Sequence, residues 1–287
     1  MPRTPTCVLT ATASPSTTEG HAIDRFVEIG SLTKVLTGTV LMRMCAEGTL
    51  NVDDPLGRWL PVPDTGITLR QLAEHTSGLP RLPPGLSRRD PYARFTPAAL
   101  RELLPHLGSI ASRPAGQQEE YSNLGYAVLG AALVAAAGKP YEELLSAHVL
   151  VPLDIDEVTA SPAAESRLDA PGRFGRSRAP WTMNGAILPA GGMWATPRAL
   201  ARLVPALLLE RRLGAPALSW QKAGPLLWHN GATRRASVFA GAMPDGRWVV
   251  VHRLNGASDD TDEQALRLLT AQKPAGAPGP TREDAGS

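Results

Sequence analysis

Between Gly30 and Gly48 apolar residues recur at helical steps: Leu32, Val35, Leu36, Val40, Leu41 and Met44. That period predicts a helix, and Gly48 supplies its stop. Just upstream, Phe26, Val27 and Ile29 form a short apolar run, suited to a strand that delivers the chain into the helix. From Leu50 to about Ala170 the pattern predicts helices and loops. A short helix spans Thr68 to His75 and breaks at Ser77-Gly78. Another opens at Thr96-Pro97, a cap followed by proline in the first turn, and runs through Leu104. Asn123 to Ala137 is a longer apolar helix closed by Gly138-Lys139-Pro140, and Tyr141 to His148 is a further short one. Leu82 to Asp90 is a proline-rich loop.

The last third changes character. Thr196-Pro197 opens a helix to about Leu209. Ser237 to Met243 and Trp248 to Leu254 are β-rich runs joined by Pro244-Asp245-Gly246-Arg247, a strong hairpin signal. Asp260 to Gln272 is amphipathic and helical. At the other end, the threonine-rich run Cys7 to Ala13 reads as an ordinary strand rather than a signal peptide, so a cytoplasmic location is expected. The order of elements divides the chain into a sheet domain of residues 1–48 and 171–272 and an all-helical lobe of 49–170. A Pro/Gly/Ala-rich tail, 273–287, is expected to be disordered.

Composition narrows the function classes. Of 287 residues, 43% are hydrophobic and 20% charged, with a net charge of +2. This is a soluble globular profile, which excludes a disordered chain and gives no reason to expect a nucleic-acid partner. No stretch approaches the roughly 20 apolar residues that span a bilayer, so no membrane partner is expected. Two cysteines, Cys7 and Cys45, exclude a disulfide scaffold, and the histidines lack metal-ligand spacing. Neither a metal nor a cofactor is expected. Only four lysines occur (Lys34, Lys139, Lys222 and Lys273), so a lysine inside a chemical motif carries extra weight.

Three constellations could carry chemistry. Ser31-Leu32-Thr33-Lys34 places a hydroxyl and an amine at i and i+3, on one helix face. Serine needs a base to become a nucleophile, and a buried lysine can be neutral enough to serve. Ser31 also lies in a first helical turn, where free N–H groups favour developing negative charge. Tyr121-Ser122-Asn123 precedes a helix, and a loop tyrosine that faces a lysine can have its phenol pKa lowered for proton shuttling. Asn123 offers an amide for Lys34 or an acyl group. His229-Asn230-Gly231 precedes the hairpin, and its glycine admits a substrate to a strand edge. Taken singly, each has a plainer explanation: a chance match, a buried tyrosine beside a helix cap, a loop histidine.

Their order resembles that of the serine β-lactamase and penicillin-binding-protein superfamily, whose S-x-x-K, Y-x-N and [K/H]-x-G motifs follow in this sequence. The flanks extend the resemblance from about Phe26 to Gln272. They include Phe26-Val27-Glu28-Ile29-Gly30, Asp53-Asp54-Pro55-Leu56, Ile67-Thr68-Leu69-Arg70, His75-Thr76-Ser77-Gly78-Leu79 and Pro189-Ala190-Gly191-Gly192. The branch most similar is that of class C enzymes, D,D-peptidases and family VIII esterases. The resemblance implies an α+β fold, an antiparallel sheet flanked by helices with an inserted all-helical lobe and the active site in the cleft between them. It implies Ser31 as acylated nucleophile, Lys34 and Tyr121 as proton-transfer pair, and Asn123, His229, Gly231 and Ala232 as substrate-binding residues. The N–H groups of Ser31 and Ala232 would form the oxyanion hole. His229 stands where class C β-lactamases carry lysine, and the chain is shorter than its relatives before the nucleophile and after Asn123, which implies an open cleft.

The leading expectation is an ester or amide hydrolase acting on a small molecule through acyl-Ser31. The nearest alternative is a transacylase that passes the acyl group to an amine or alcohol in a biosynthetic pathway. A β-lactamase or D,D-peptidase comes third, and a non-catalytic binding protein on the same scaffold last. Trp181, Trp194 and Trp228 lie near the motifs and either line the cleft or, more in keeping with their residue type, belong to the core.

Overall fold

The computed structural model describes residues 4–86, 90–172 and 179–274. Elements are numbered in chain order. The two ends of the chain build one six-stranded antiparallel sheet in the order β2-β1-β9-β8-β7-β6. Its strands are β1 (Thr6–Thr10), β2 (Ser16–Thr18), β6 (Gln221–Ala223), β7 (Leu226–Ala232), β8 (Ala236–Ala242) and β9 (Trp248–Leu254). The predicted hairpin joins β8 to β9: Met243 N–H donates to Arg247 O at 2.8 Å, and Gly246 takes φ +91° in the turn.

Every residue of β8 is buried, because helices cover both faces of the sheet. Val238, Ala240 and Ala242 point into the main core with Leu203, Val204 and Leu207 of α9 (Pro197–Leu208). Phe239, between them, points the other way, against Ala265 and Leu269 of α10 (Ser258–Ala271). Period-two alternation with both faces covered explains why this strand reads as one continuous apolar run.

The nucleophile segment enters from a second, three-stranded sheet of order β3-β5-β4. It comprises β3 (Val27–Glu28), β5 (Trp194–Ala195) and β4 (Val158–Thr159). Strand β4 lies inside the segment expected to be all-helical, which corrects that expectation at this point. Two residues are too short to print a period, and their pairing comes from β5, distant in sequence. Helix α1 (Thr33–Ala46) follows a 3-10 turn at Gly30–Leu32, so the predicted single helix begins as a tighter turn. Ten of its residues are buried, from Thr33 through Leu41 together with Met44. A helix buried nearly all round is central, packed between sheet and lobe.

The lobe contains α2 (Leu69–Ala73), α3 (Pro97–Leu103), α4 (Leu107–Ile110), α5 (Asn123–Ala137), α6 (Tyr141–Leu145) and α7 (Val151–Leu153). Side chains cap several of them: Thr68 and Gln71 form a reciprocal capping box on α2, and Ser122 Oγ accepts from Gly125 N–H at the start of α5. Gly138 closes α5 with φ +64°. The short helix α8 (Leu188–Gly191) occupies the expected Pro189–Gly192 turn. Most of the tail expected to be disordered, 275–287, lies outside the described residues. Among the described residues, no helix is long and apolar enough to cross a membrane.

Candidate active site

Two glycines let backbone meet backbone at the head of α1. Gly30 has φ +48°, and a Cβ there would lie 2.8 Å from Ala232 O and 2.9 Å from Ala232 N. A Cβ at Gly231 would overlap the Ile29 carbonyl oxygen and lie 3.0 Å from Ser31 N. The end of β7 therefore packs directly on the Ser31 turn. Thr233 N–H donates to Ala236 O across the hairpin, and the antiparallel alternation turns the N–H of Ala232 away from β8. It faces the other edge of β7, beyond the Leu226–Trp228 stretch that β6 covers, beside the N–H of Ser31 in a first helical turn. Two N–H donors side by side at such an edge can hold an oxyanion.

Four side chains converge next to that edge. Ser31 Oγ accepts from the Tyr121 hydroxyl at 2.5 Å and lies 3.2 Å from Lys34 Nζ. Lys34 is fully buried; its amine reaches Asn123 Oδ1 at 2.8 Å and the Ala190 carbonyl at 2.6 Å. Burial, and then the charge of Arg81, hold its pKa well below the usual lysine value. A neutral amine has two N–H groups and one lone pair. Asn123 Oδ1 and Ala190 O are acceptors only, so they take both N–H groups, and the lone pair is left for the Ser31 hydroxyl proton. The Asn123 amide is fixed from behind, its Nδ2 donating to Tyr92 Oη at 3.0 Å.

Tyr121 departs from expectation. Its phenol pKa is pushed up, to about 12, because burial outweighs the lowering by the Ser31 contact and by Arg81. Lys34 lies 4.7 Å from its ring centroid but is itself disfavoured as a cation. Tyr121 is thus a protonated donor at neutral pH and not a phenolate.

His75 belongs to the site and was not singled out beyond its place in the family-like His75–Leu79 run. It sits at φ +61°, and its Nδ1 accepts from Ser122 N–H at 3.1 Å. Its ring lies 4.6 Å from that of Tyr121. Burial, reinforced by Lys34 and His229, lowers its pKa to about 3, which keeps Nδ1 free as an acceptor. It positions the Tyr121–Asn123 segment.

The expectation of His229 as a substrate-binding residue at the strand edge is corrected for its side chain. Alternation along β7 turns it inward, where it is 2% exposed, and its neighbour Asn230 lines the cleft instead. His229 Nδ1 donates to Asn230 O at 2.5 Å; Nε2 is buried without a partner among the described residues, and burial and Lys34 lower the pKa to about 4. Gly231 contributes close backbone contact only, whereas Ala232 reaches the cleft. Trp181 lines the cleft, edge-on to Tyr92; Trp228 stacks on Phe239 beneath α10, and Trp194 is buried.

The cleft has a volume of about 700 Å³ and is bounded by Ser31, Tyr121, Asn123, Tyr92 and Trp181, with Ala232 at its strand edge. Sheet, lobe and a serine with lysine and tyrosine on its hydroxyl define the serine-hydrolase architecture of penicillin-recognising proteins. The β-lactamase family model matches residues 11–258, and the chain belongs to that family. The D-alanyl-D-alanine-carboxypeptidase/endopeptidase AmpH of Escherichia coli (strain K12) is 33% identical over 189 residues, 63% of this chain and 48% of that protein. The match thus spans about half the length of that relative. An octameric penicillin-binding protein homologue from Pyrococcus abyssi has a similar fold, with a TM-score of 0.79 at 19% identity over 94% of this chain and 74% of that one. So does a D-stereospecific amidohydrolase from Streptomyces sp., with a TM-score of 0.68 at 24% identity over 91% and 93% of the two chains.

Proposed function

We propose that the protein transfers acyl groups from small esters or amides through an acyl-Ser31 intermediate. The observation that carries this reading is the contact of Ser31 Oγ with both Tyr121 Oη and Lys34 Nζ. In the first step Ser31 Oγ bonds to the substrate carbonyl carbon while its proton moves to the lone pair of Lys34. The carbonyl oxygen gains the charge and faces the N–H groups of Ser31 and Ala232. As the tetrahedral species collapses, the bond to the leaving group breaks. The Tyr121 hydroxyl gives its proton to the departing oxygen or nitrogen, and the proton held on Lys34 restores the phenol. A second nucleophile then reverses the sequence and frees the serine.

Water as that nucleophile makes the protein an ester or amide hydrolase, the first reading. An amine or alcohol makes it a transacylase, and the size of the cleft, about 700 Å³, favours keeping that second reading. The neutral, inward-turned His229 leaves the β7 edge without the lysine that class C β-lactamases carry there, which speaks against a β-lactamase reading. The test follows product formation from a 4-nitrophenyl ester with and without added amine. New amide product at an unchanged rate of nitrophenol release identifies transfer; acid as the sole product identifies hydrolysis. No Ser31-dependent turnover of any ester in a panel contradicts both.

A further inference from the structure

Two threonines of α1, Thr33 and Thr37, flank Lys34 one helical turn apart, and both are fully buried. Each reaches the α8 turn that carries the Ala190 carbonyl. Thr33 Oγ1 accepts from Met193 N–H at 3.2 Å, just past the end of α8. A threonine inside a helix commonly bonds back to the carbonyl four residues earlier, as Thr39 does to Val35 O at 2.7 Å. Thr37 does otherwise: its Oγ1 lies 3.3 Å from Thr33 O but 2.7 Å from Pro189 O, and 2.7 Å from Tyr141 Oη. A hydroxyl has one proton, and the shorter carbonyl contact, to Pro189, takes it. The Tyr141 hydroxyl is then the donor to Thr37 Oγ1, and burial raises the phenol pKa so that it stays protonated. Two hydrogen bonds thus run in series from Tyr141 through Thr37 to Pro189 O, each polarising the next. Pro189 has no slack on its other side, where a Cβ at Gly130 of α5 would overlap its ring.

Ala190 lies between these two pins, with its carbonyl 2.6 Å from Lys34 Nζ. As an ammonium, Lys34 has three N–H groups, for Ser31 Oγ, Asn123 Oδ1 and Ala190 O. As an amine it has two, and its lone pair stays on Ser31 only while the other two acceptors keep their places. Tyr92 holds Asn123 from behind, and the Ala190 carbonyl, in a four-residue turn, needs a hold of its own. We propose that Thr33 and Thr37 are positioning residues for the base: they hold the Ala190 carbonyl on the Lys34 amine and so keep its lone pair on the Ser31 hydroxyl. The assignment rests on the acyl-transfer reading for its role in turnover, but not for its effect on Lys34 itself.

Thr37→Val removes the hydroxyl and keeps the shape, whereas Thr37→Ser keeps the hydroxyl. Because the chain has only four lysines, the Lys34 signal of protein labelled with carbon-13 at lysine Cε is assigned by its loss in Lys34→Met, and its titration by NMR needs no substrate. The other groups that face Lys34 are left in place: Tyr121, Tyr126, His75 and Arg81 from the lobe and His229 from the sheet. In Thr37→Val the Ala190 carbonyl drifts from the amine, which costs the ammonium a hydrogen bond and moves the Lys34 titration about one pH unit lower. Acylation at saturating 4-nitrophenyl acetate falls about tenfold, while the half-saturating concentration stays within about twofold. Thr37→Ser restores both. Thr33→Val removes the other pin and moves the titration the same way, so it decides the matter where Thr37→Val does not fold. A Lys34 titration unmoved or raised in the folded variants, or a loss in Thr37→Ser equal to that in Thr37→Val, overturns the assignment. Failure of the wild type to take up acetyl groups from any ester counts against the acyl-transfer reading, while the titration still decides Thr33 and Thr37.

Discussion

Lys34 Nζ donates to the carbonyl of Ala190 at 2.6 Å, inside a fully buried pocket. That bond, with the one to Asn123 Oδ1, orients the amine so that its remaining valence points at Ser31. A backbone carbonyl cannot be removed by substitution, so the arrangement is built into the path of the chain at α8.

Lys34→Met keeps the length of the side chain and removes the base. Acylation of Ser31 by an activated ester falls by a factor of about 10² to 10⁴. Stopped-flow or mass-resolved acylation rates measure this, and a variant within twofold of wild type contradicts the assignment of Lys34 as base.

The base must be unprotonated to act, and its pKa lies below the ordinary lysine value. Acylation therefore rises with pH up to the lowered Lys34 pKa and then levels, with no second rise, because burial pushes the Tyr121 phenol up to about 12 and keeps it a protonated donor. Tyr121→Phe retains the position of that limb while reducing the plateau about 10²-fold. A limb that disappears in Tyr121→Phe would instead make the phenol the titrating base.

Gly231→Ala places a methyl group on the Ile29 carbonyl oxygen and against Ser31 N. Relieving that overlap moves β7 away from the nucleophile turn. The expected cost is about 1–3 kcal/mol of stability with a disproportionate loss of acylation, read by thermal melting and by the acylation rate of the folded fraction. Full activity in Gly231→Ala contradicts the backbone oxyanion site.

His75 and His229 are buried and neutral, with pKa values lowered to about 3 and about 4 from 6.5. Above pH 6.5 neither costs stability through protonation. Below it the unfolded chain takes up protons that the native state refuses, so stability falls as pH drops from 6.5 toward about 4. Each group contributes up to about 1.4 kcal/mol by one pH unit below its unfolded pKa. Denaturant unfolding between pH 7 and 5 tests this, and His229→Gln makes the decline shallower. A curve flat over that range contradicts the buried neutral state.

The sequence made the Ser31–Lys34 pair legible because i, i+3 spacing is a local geometric fact. The hairpin at Pro244–Arg247 was legible for the same reason, its turn chemistry being written in four adjacent residues. The link from Lys34 to Tyr121 and Asn123 came from resemblance, since no local rule joins residues that far apart. Ala190 escaped notice as a partner because its contribution is a carbonyl, which any residue has. The inward turn of His229 depends on which face of β7 meets α1, and a seven-residue strand with partners on both sides does not announce it. The direction of the Tyr121 shift is decided by burial, which a loop position in sequence does not reveal. Strand β4 is two residues long and owes its existence to β5.

The central claim is that Ser31 carries the acyl group. Intact-protein mass after incubation with a panel of activated esters measures it most directly, with Ser31→Ala in parallel. The predicted result is an increase equal to the acyl group on wild type and none on Ser31→Ala, with the modified peptide mapping to the head of α1. Equal labelling of both proteins, or turnover that survives in Ser31→Ala, would contradict the account.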